Sequence, residues 1–414
     1  MTEAPKRDER LSVDEALRRI LDRVSTTPLT EMTPLSAALG RTLAADLAAL
    51  RTQPPFAVSA MDGYAVRSAD LSALPVRLRQ IGESAAGHGF AGDVGPGETV
   101  RIFTGAPVPT GADAILIQEN ARRVDGWVEP TRPVAAGLYV RRAGIDFSEG
   151  EVLLSKGTRL SPGAIALAAA MNHAAAPVSR RPRVAILATG DELALPGEAA
   201  RADQIVSSNV YAVAALVEEA GGEPLDLGLA PDDLDALDAA IARAKSLDCD
   251  VLVTSGGASV GDHDLVRPAL ERAGMTLDFW RIRLRPGAPL LFGGLGRMSV
   301  LGLPGNPVSA IVGAILFLRP LVRALSGDPQ AGADRSDAAI LGADVGANDL
   351  RQDFLRATLA PQPNGPPVAT PFSSQDSSLL SVLAKAQCLI VRPSEAPQAR
   401  AGDPCRILRI PGVA

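Results

Sequence analysis

Between residues 180 and 326, apolar runs of strand length alternate with segments of helical period, an order that few architectures tolerate. "RVAILAT" (183–189) reads as a buried strand, and "SSNVYAVAALVEEAGG" as a helix capped by Ser207 or Ser208 and stopped at Gly221-Gly222. A second helix ("DDLDALDAAIARAKSL"), a second strand ("DVLVTS") and a third helix ("DLVRPALERAG") follow. A further strand ("RMSVLGL") then leads into a long apolar helix, "NPVSAIVGAILFLRPLVRALSG". This alternation predicts a doubly wound α/β domain. Ligands of such a sheet sit beyond the carboxyl ends of its strands, so the loops there are the first place to look for chemistry.

At 414 residues the chain is too long for one small core, and its texture outside 180–326 divides it further. "LSVDEALRRILDRV" opens with a helix, Ser12 and Glu15 forming a capping box and Val13, Leu17, Ile20 and Leu21 an apolar stripe. Residues 51–145 turn to Gly- and Pro-rich strands, with Asp125-Gly126 as a hairpin turn in "RRVDGWVEP". Helix returns in "SPGAIALAAAMNHA", capped by Ser161 with Pro162 in its first turn. The two helical pieces that flank the β-rich stretch are expected to pack together. The predicted fold is therefore a multidomain α/β protein. It has a helical linker domain (1–50 and 146–179, the N-terminal helix also free to pack on the α/β domain) and an inserted β-rich domain (51–145). The α/β domain (180–326) and a small C-terminal β-barrel (327–414) complete it.

Three strand ends carry unusual loops: "TGDE" (189–192), "TSGGASVGDHD" (254–264) and "PGNP" (304–307). In the longest, Gly256, Gly257 and Gly261 permit positive φ and close backbone approach, so consecutive N–H groups can line an anion nest. Thr254, Ser255 and Ser259 add hydroxyls. Asp262 and Asp264 repel a phosphate on their own; bridged to it by a divalent cation, they become hard oxygen ligands of the kind magnesium takes. Asp264 serves equally well as a cap for the next helix. In "PGNP", Asn306 caps the following helix, Pro307 fits its first turn, and Gly305 removes a side chain that would block an anion from the free N–H groups. A plain helix cap explains Asn306 and Pro307 as well. In "TGDE" a turn accounts for Gly190 and Asp191, and Glu192 reads as a solvated acid or a site residue alike. "RIRLRPGAPLLFGG" sets Arg281, Arg283 and Arg285 at alternate positions on one strand face. That is ordinarily a solvated stripe; beside anion-binding loops it supplies fixed positive charge for an oxyanion. "SAMDGYAVR" reads locally as a hairpin turning at Asp62-Gly63.

Several function classes are excluded by what the sequence lacks. No G-x-x-x-x-G-K-[ST] or G-x-S-x-G occurs, and the string "GHGFAG" (87–92) has no strand before it or helix after it. A net charge of −6 and 3% aromatic residues give neither the basic footprint nor the stacking platforms of a nucleic-acid binder. The charged N-terminus has no apolar signal core, and aliphatic stretches such as "AIVGAILFL" fall short of the ~20 residues of a membrane span. Three scattered cysteines and three scattered histidines suit a reducing cytoplasm and offer no disulfide framework or zinc site. A cytoplasmic protein is expected, bound to neither nucleic acid nor membrane.

Taken together, "SVDEALRRIL", "SAMDGYAVR", "VRIFTGAPVPTGADAILIQEN", "VRRAGIDFSEGEVLLSKGTRLSP", "VAILATGDEL", "VLVTSGGASVGDHD", "LGLPGNPVSA" and "DFLRATL" form an ordered series over nearly the whole chain. The series resembles the molybdopterin molybdenumtransferase family, the bacterial MoeA proteins related to the C-terminal region of gephyrin. The resemblance implies an enzyme of molybdenum cofactor biosynthesis. Its substrates would be molybdate and adenylylated molybdopterin, its cation magnesium (Mg2+), and its products AMP and a dithiolene carrying molybdenum. It also implies an elongated homodimer, with each active site between the α/β domain of one subunit and the β-rich domains of the other. Transient contact with the adenylylating enzyme and with molybdoenzymes is implied too.

Carried onto this sequence, the family's motif aspartates fall on Asp62 and Asp146, reaching the site from the partner subunit and displacing the hairpin reading of Asp62. Asp262 joins them as a catalytic acid. Asp262, Asp264 and Glu192 would hold the metal. Thr189, Gly190, Asp191, Glu192, Ser208, Asn209, Thr254, Ser255, Gly256, Gly257, Ser259, Gly261, Pro304, Gly305, Asn306 and Pro307 would hold the pterin and phosphate. Arg281, Arg285, Arg351 and Ser377 would hold molybdate.

Two turns depart from the family pattern. The usual "KPGKP"-like turn reads "RPGAP", where Arg285 can still grip an oxyanion bidentately and Ala288 cannot. The usual "QGS" turn reads "QDSS" (375–378), which adds Asp376 near an expected anion. These departures keep a second reading open, a diverged molybdopterin-binding carrier or gephyrin-like scaffold without turnover. Hydrolysis of a nucleotide pyrophosphate is a third.

Overall fold

The computed structural model describes residues 10–24, 29–256 and 265–412. It divides into a larger unit (Met1–Glu31, Gly40–Ala44, Val178–Ala414) and a smaller one (Met32–Leu39, Ala45–Pro177). Helix α1 (Val13–Asp22) begins as its sequence dictates, the Ser12 hydroxyl accepting a hydrogen bond from the Glu15 backbone N–H. The reciprocal half of the expected capping box is replaced, because the Glu15 carboxylate is held by Arg18 and Arg19. Val13, Ala16 and Ile20 are buried in the core of the larger unit's α/β sheet. Helix α1 thus takes the alternative the sequence left open, packing on the α/β domain. Helix α2 (Pro162–Ala170), capped by Ser161, belongs to the smaller unit; it is apolar all round, buries only Ala168 fully, and presents no matching stripe.

The smaller unit is built on a six-stranded sheet. Its strands are β1 (Gly63–Val66), β2 (Leu78–Ser84), β3 (Glu98–Ile102), β4 (Ala114–Ile117), β5 (Ala121–Val124) and β6 (Trp127–Pro130), in the spatial order β4-β1-β3-β2-β6-β5. The β5–β6 hairpin turns at Asp125 and Gly126 with φ of 47° and 82°, the left-handed pair that an Asp-Gly turn supplies. Asp62-Gly63 is not a hairpin turn. Val58–Ser59 pairs with Val140–Arg141, whereas β1 pairs with β3 and β4. Gly63 is required by close approach instead, since a Cβ there would lie 2.1 Å from the Leu116 carbonyl oxygen.

In the larger unit the predicted alternation is realised as β7 (Arg183–Thr189), α3 (Asn209–Ala220), β8 (Glu223–Ala230), α4 (Leu234–Ser246), β9 (Val251–Ser255) and α5 (Val266–Arg272). Then come β10 (Thr276–Trp280), the short β11 (Leu284–Arg285), β12 (Leu291–Leu295), β13 (Met298–Leu303) and α6 (Pro307–Leu325). The sheet order is β8-β7-β9-β13-β12-β10, with β8, β7, β9 and β13 parallel and the last two antiparallel. Among the described residues α6 is the one helix long and apolar enough to cross a membrane by length and composition, yet 72% of its apolar window is buried, which makes it a core helix. Its middle, Ala314–Leu318, widens to a π-helix just before Pro320, whose missing N–H and ring disturb the ladder at that point.

The C-terminal strands are β14 (Asp337–Leu341), β15 (Gln352–Ala360), β16 (Val368–Pro371), β17 (Cys388–Arg392) and β18 (Pro404–Arg409). They close into a five-stranded barrel, β15-β16-β14-β18-β17, by the return pairing of β17 on β15. Strand β11 adds to β15 in parallel, setting Leu284 opposite Gln352 and Arg285 opposite Asp353. The barrel thereby joins the α/β sheet close to the carboxyl ends of its strands.

Candidate functional site

The chain leaves β7 for β8 on one side of the sheet and later adds β9 on the other, so strand order reverses between β7 and β9. At that reversal, beyond the carboxyl ends of the strands, a doubly wound sheet leaves a crevice. Here the crevice is a cavity of ≈ 1050 Å³. Thr189, Gly190 and Glu192 line it from the end of β7, Ser208 and Asn209 from the start of α3, and Ser255 and Gly256 from the end of β9. Pro304, Gly305, Asn306 and Pro307 line it from the β13–α6 turn, Arg285 and Ala288 from the "RPGAP" turn, and Arg351, Asp376 and Ser377 from the barrel. Asp191 and Thr254 do not line it. Asp191 accepts from the Asp232 backbone N–H (3.2 Å), and Thr254 is buried within the strand. Gly257, Ser259, Gly261, Asp262 and Asp264 lie outside the described residues.

Close approach of the strand ends explains their composition. Gly256 has φ of 101°, and a Cβ on it would stand 2.6 Å from the Thr189 carbonyl oxygen, so a larger residue would part β7 from β9. Asn209 ties the loops together, its Nδ2 donating to Ser255 Oγ and to the Gly305 carbonyl at 2.8 Å each. The Thr189 and Thr254 hydroxyls are buried without a hydrogen-bond partner among the described residues. An unpaired buried hydroxyl is costly, and that of Thr189 lies beneath Gly256, 2.9 Å from where a Cβ there would stand.

Asn306 does not cap α6 with its side chain, as its position suggested. Nδ2 donates instead to Ser377 Oγ (2.9 Å), and the Val308 N–H donates to the Ser377 carbonyl (3.1 Å). The helix start is thus partly closed by the barrel. The three arginines of "RIRLR" do not share a strand face either. Arg281 has φ of 72°, which breaks the strand between β10 and β11, and its guanidinium stacks on Trp280 at 5.0 Å, off the cavity lining. Arg285 does line the cavity, but its Nε and NH2 edge already grips Asp353, with Nε at 2.8 Å from Oδ1. The fork expected to hold an oxyanion bidentately is occupied by a carboxylate. Arg351 likewise grips Asp349 (NH2 to Oδ2, 2.6 Å), and these hydrogen bonds hold the Asp349 carboxyl well below the usual range.

Asp353 escapes sequence reasoning because its partner Arg285 is set by β11–β15 register, a pairing across 68 residues, and Asp349, though only two residues from Arg351, was unforeseen as well. Asp232, Gln375 and Ser309 also line the cavity unforeseen. Arg356, fully buried beneath the 375–378 turn, was unforeseen as well; it donates to the Asp376 carbonyl (3.2 Å), and burial pushes its guanidinium below the ordinary range.

Residues 11–172 match the model of the MoeA N-terminal region (domains I and II), 185–324 that of a probable molybdopterin binding domain, and 338–410 that of the MoeA C-terminal region (domain IV). The molybdopterin molybdenumtransferase of Haemophilus influenzae is 34% identical over 95% of this chain and 97% of its own length. That of Bacillus subtilis is 34% identical over 97% of this chain and 94% of its own. The chain belongs to the molybdopterin molybdenumtransferase family. A crystal structure of a molybdopterin biosynthesis MoeA protein from Pyrococcus horikoshii OT3 matches it with a TM-score of 0.84 at 29% identity, covering 97% of this chain and 100% of that one.

Two catalytic candidates drawn from the molybdenumtransferase pattern, Asp62 and Asp146, sit in the smaller unit. Asp62 Oδ1 accepts from the Thr104 N–H (2.7 Å) and hydroxyl (2.8 Å), and these bonds, helped by the Arg101 charge, hold its carboxyl below the usual range. Asp146 is exposed, and its backbone N–H donates to Gln53 O (3.1 Å). The family's departing turns both face the cavity. Ala288 offers it no donor, and the Asp376 carboxylate folds onto Ser378, accepting from its N–H (2.8 Å) and hydroxyl (2.7 Å). No group of three or more His, Cys, Asp or Glu side chains among the described residues is arranged to hold a metal. Glu192 is a described acid of the cavity, its carboxylate lying against Gly190.

Proposed function

We propose that this enzyme of molybdenum cofactor biosynthesis transfers molybdenum from molybdate to adenylylated molybdopterin, with a divalent cation assisting release of AMP. The observation that carries the reading is the crevice at the strand reversal. There, glycine- and hydroxyl-rich strand ends meet Arg285 of the "RPGAP" turn and Arg351 of the barrel in a cavity large enough for a nucleotide-sized ligand. Gly256 lets backbone approach a phosphate, and exposed Ile205 and Val206 offer apolar contact to a planar ring. Arg351 and Arg285 are the cations placed to meet an oxyanion.

The donor set suits magnesium. Glu192 on the cavity wall and, by sequence, Asp262 and Asp264 offer hard carboxylate oxygens, and Mg2+ keeps several waters beside one or two such ligands. Bound there, the ion would neutralise charge on the leaving phosphate. Asp62, kept ionised by Thr104, and Asp146 would be acids brought by a second subunit. A homodimer is supported by the smaller unit itself. Phe56, Met61, Leu138, Tyr139 and Ile145 stand 38–64% exposed along two segments that hydrogen-bond to each other (Ala60 N–H to Tyr139 O, 2.8 Å) and that also carry both aspartates. A second copy would cover that apolar surface.

Single-turnover AMP release from adenylylated molybdopterin, with magnesium and across a molybdate titration, tests this. Molybdate-dependent release that is lost in Asp262→Ala is expected. Tight pterin binding without release at any molybdate concentration would overturn the transferase reading.

A further inference from the structure

Both cavity arginines already hold carboxylates, and the two carboxylates are held differently. Asp353 has a side chain only 6% exposed and lies in register with Arg285 across the β11–β15 pairing, so it cannot leave without opening that seam. Asp349 sits on the loop before β15 with its side chain 51% exposed. It takes the Nε and NH2 edge of Arg351, with Nε at 3.1 and 3.2 Å from its two oxygens and NH2 at 2.6 Å. Its Oδ2 also lies 3.7 Å from NH1 of Arg285. One half-exposed side chain thus meets both arginines that line the cavity among the described residues. A carboxylate in a guanidinium fork occupies the same donors that an oxyanion uses. Ala288, on the same turn as Arg285, supplies no substitute cation.

We propose that Asp349 is a built-in competitor for the oxyanion, which must displace it from Arg351 and Arg285 in order to bind. The inference rests on the assignment of these two arginines to the molybdate site. Displacement needs no unfolding, because Asp349 is half exposed and its remaining side-chain hydrogen bond among the described residues is to the Arg351 backbone N–H (2.9 Å). An incoming dianion gains more from two guanidinium groups than the monoanionic carboxylate loses, because Coulomb energy scales with charge. Asp349 therefore sets the oxyanion concentration at which the enzyme works and favours doubly charged anions over singly charged ones.

Calorimetric titration of molybdate into the full-length protein tests this, with wild type, Asp349→Asn, Asp349→Ala, and each of these carrying Arg351→Ala. Asp349→Asn keeps an acceptor for the Arg351 N–H and removes only the charge. It is expected to bind molybdate about fivefold more tightly, the scale of one exposed ion pair. Asp349→Ala should show the same gain, and Arg351→Ala should abolish it in both. Binding that becomes detectable only in the Asp349 variants also supports the proposal. Equal or weaker binding in both variants, beside a wild type that binds, overturns it and leaves the molybdate site standing; a merely structural role for Asp349 predicts that sign. Absence of binding in every protein overturns the proposal together with the assignment of the arginines.

Discussion

Replacing Asn209 by aspartate changes one nitrogen to oxygen at the point where three strand-end loops meet. The Gly305 carbonyl can only accept, so the Asn209 amide nitrogen must face it, and the same nitrogen reaches Ser255 Oγ; both distances are 2.8 Å. Asn209→Asp removes the donor to Gly305 and sets a carboxylate oxygen against a carbonyl oxygen. Ser255 can turn its hydroxyl to donate, so that contact is partly recovered. One hydrogen bond lost is worth about 1 kcal/mol, and an unpaired carbonyl facing an anion about 1–2 more. The variant should therefore unfold in urea with a stability lower by about 2–3 kcal/mol, and Asn209→Ala with about half that loss. The larger effect is on turnover. The 304–307 turn must retreat from α3, and an added negative charge meets an anionic substrate, so kcat/KM for AMP release should fall at least about tenfold more in the aspartate variant than in the alanine one. An aspartate variant as stable and as active as the alanine variant would refute the idea that this amide fixes the geometry of the three loops.

Three other substitutions probe the same larger unit. Gly256→Ala forces a Cβ to within 2.6 Å of the Thr189 carbonyl at a φ of 101°, and should lower stability by at least about 2 kcal/mol in urea unfolding; a loss under about 0.5 would show that the strand ends have slack. Asp328→Ala strands Arg323, whose side chain is 7% exposed and whose Nε donates to Asp328 at 2.7 Å; a loss of about 3 kcal/mol is expected, and a neutral result would mean that water reaches the guanidinium. Burial pushes the Cys388 thiol from 9.0 up to about 12. A thiol that keeps its proton longer in the folded state contributes stability in full below pH 9, and loses it as pH rises toward 12. Between pH 8 and 10.5 wild type should lose about 2 kcal/mol that Cys388→Ala does not lose, measured as the difference between their urea unfolding curves; parallel pH dependence of the two proteins would contradict it.

What the sequence made legible was local. Ser12 and Ser161 accept from N–H groups three residues on, Gly221 stops α3 with φ of 96°, and Asp125-Gly126 turns its hairpin with both residues left-handed. Each of these choices is decided within one helical turn or one hairpin, so propensity and pattern suffice. The placement of Thr189, Ser255 and Pro304 on one crevice was legible too, because a parallel sheet puts all its carboxyl ends on one edge. Register between distant strands was not legible. Nothing near Arg285 announces Asp353, 68 residues away, and nothing near Asn306 announces Ser377, 71 residues away. Arg281 fails for a different reason. Alternation along "RIRLR" assumes a continuous strand, whereas the chain turns left-handed at Arg281 so that Ile282 and Leu284 can enter the sheet core.

The same two long-range contacts explain why groups that read from sequence as ligand donors are partly spent in the fold. One seam between barrel and α/β sheet runs through Ser377, whose carbonyl takes the Val308 N–H and whose hydroxyl takes Asn306; the other runs through Asp353, which takes Arg285. A helix N-terminus and an arginine fork are strong anion sites only while they are unpaired. Here the fold pairs both, and it does so with residues of the barrel. Donors left to a ligand on the described side of the cavity include the backbone around Gly256 and the Arg351 and Arg285 groups that Asp349 touches, Asp349 being exposed enough to yield. Under the proposed function, phosphate recognition would fall to the β7 and β9 strand ends and oxyanion recognition to Arg351 and the NH1 side of Arg285, while the Nε–NH2 edge of Arg285 and the Asn306 amide hold the barrel in place.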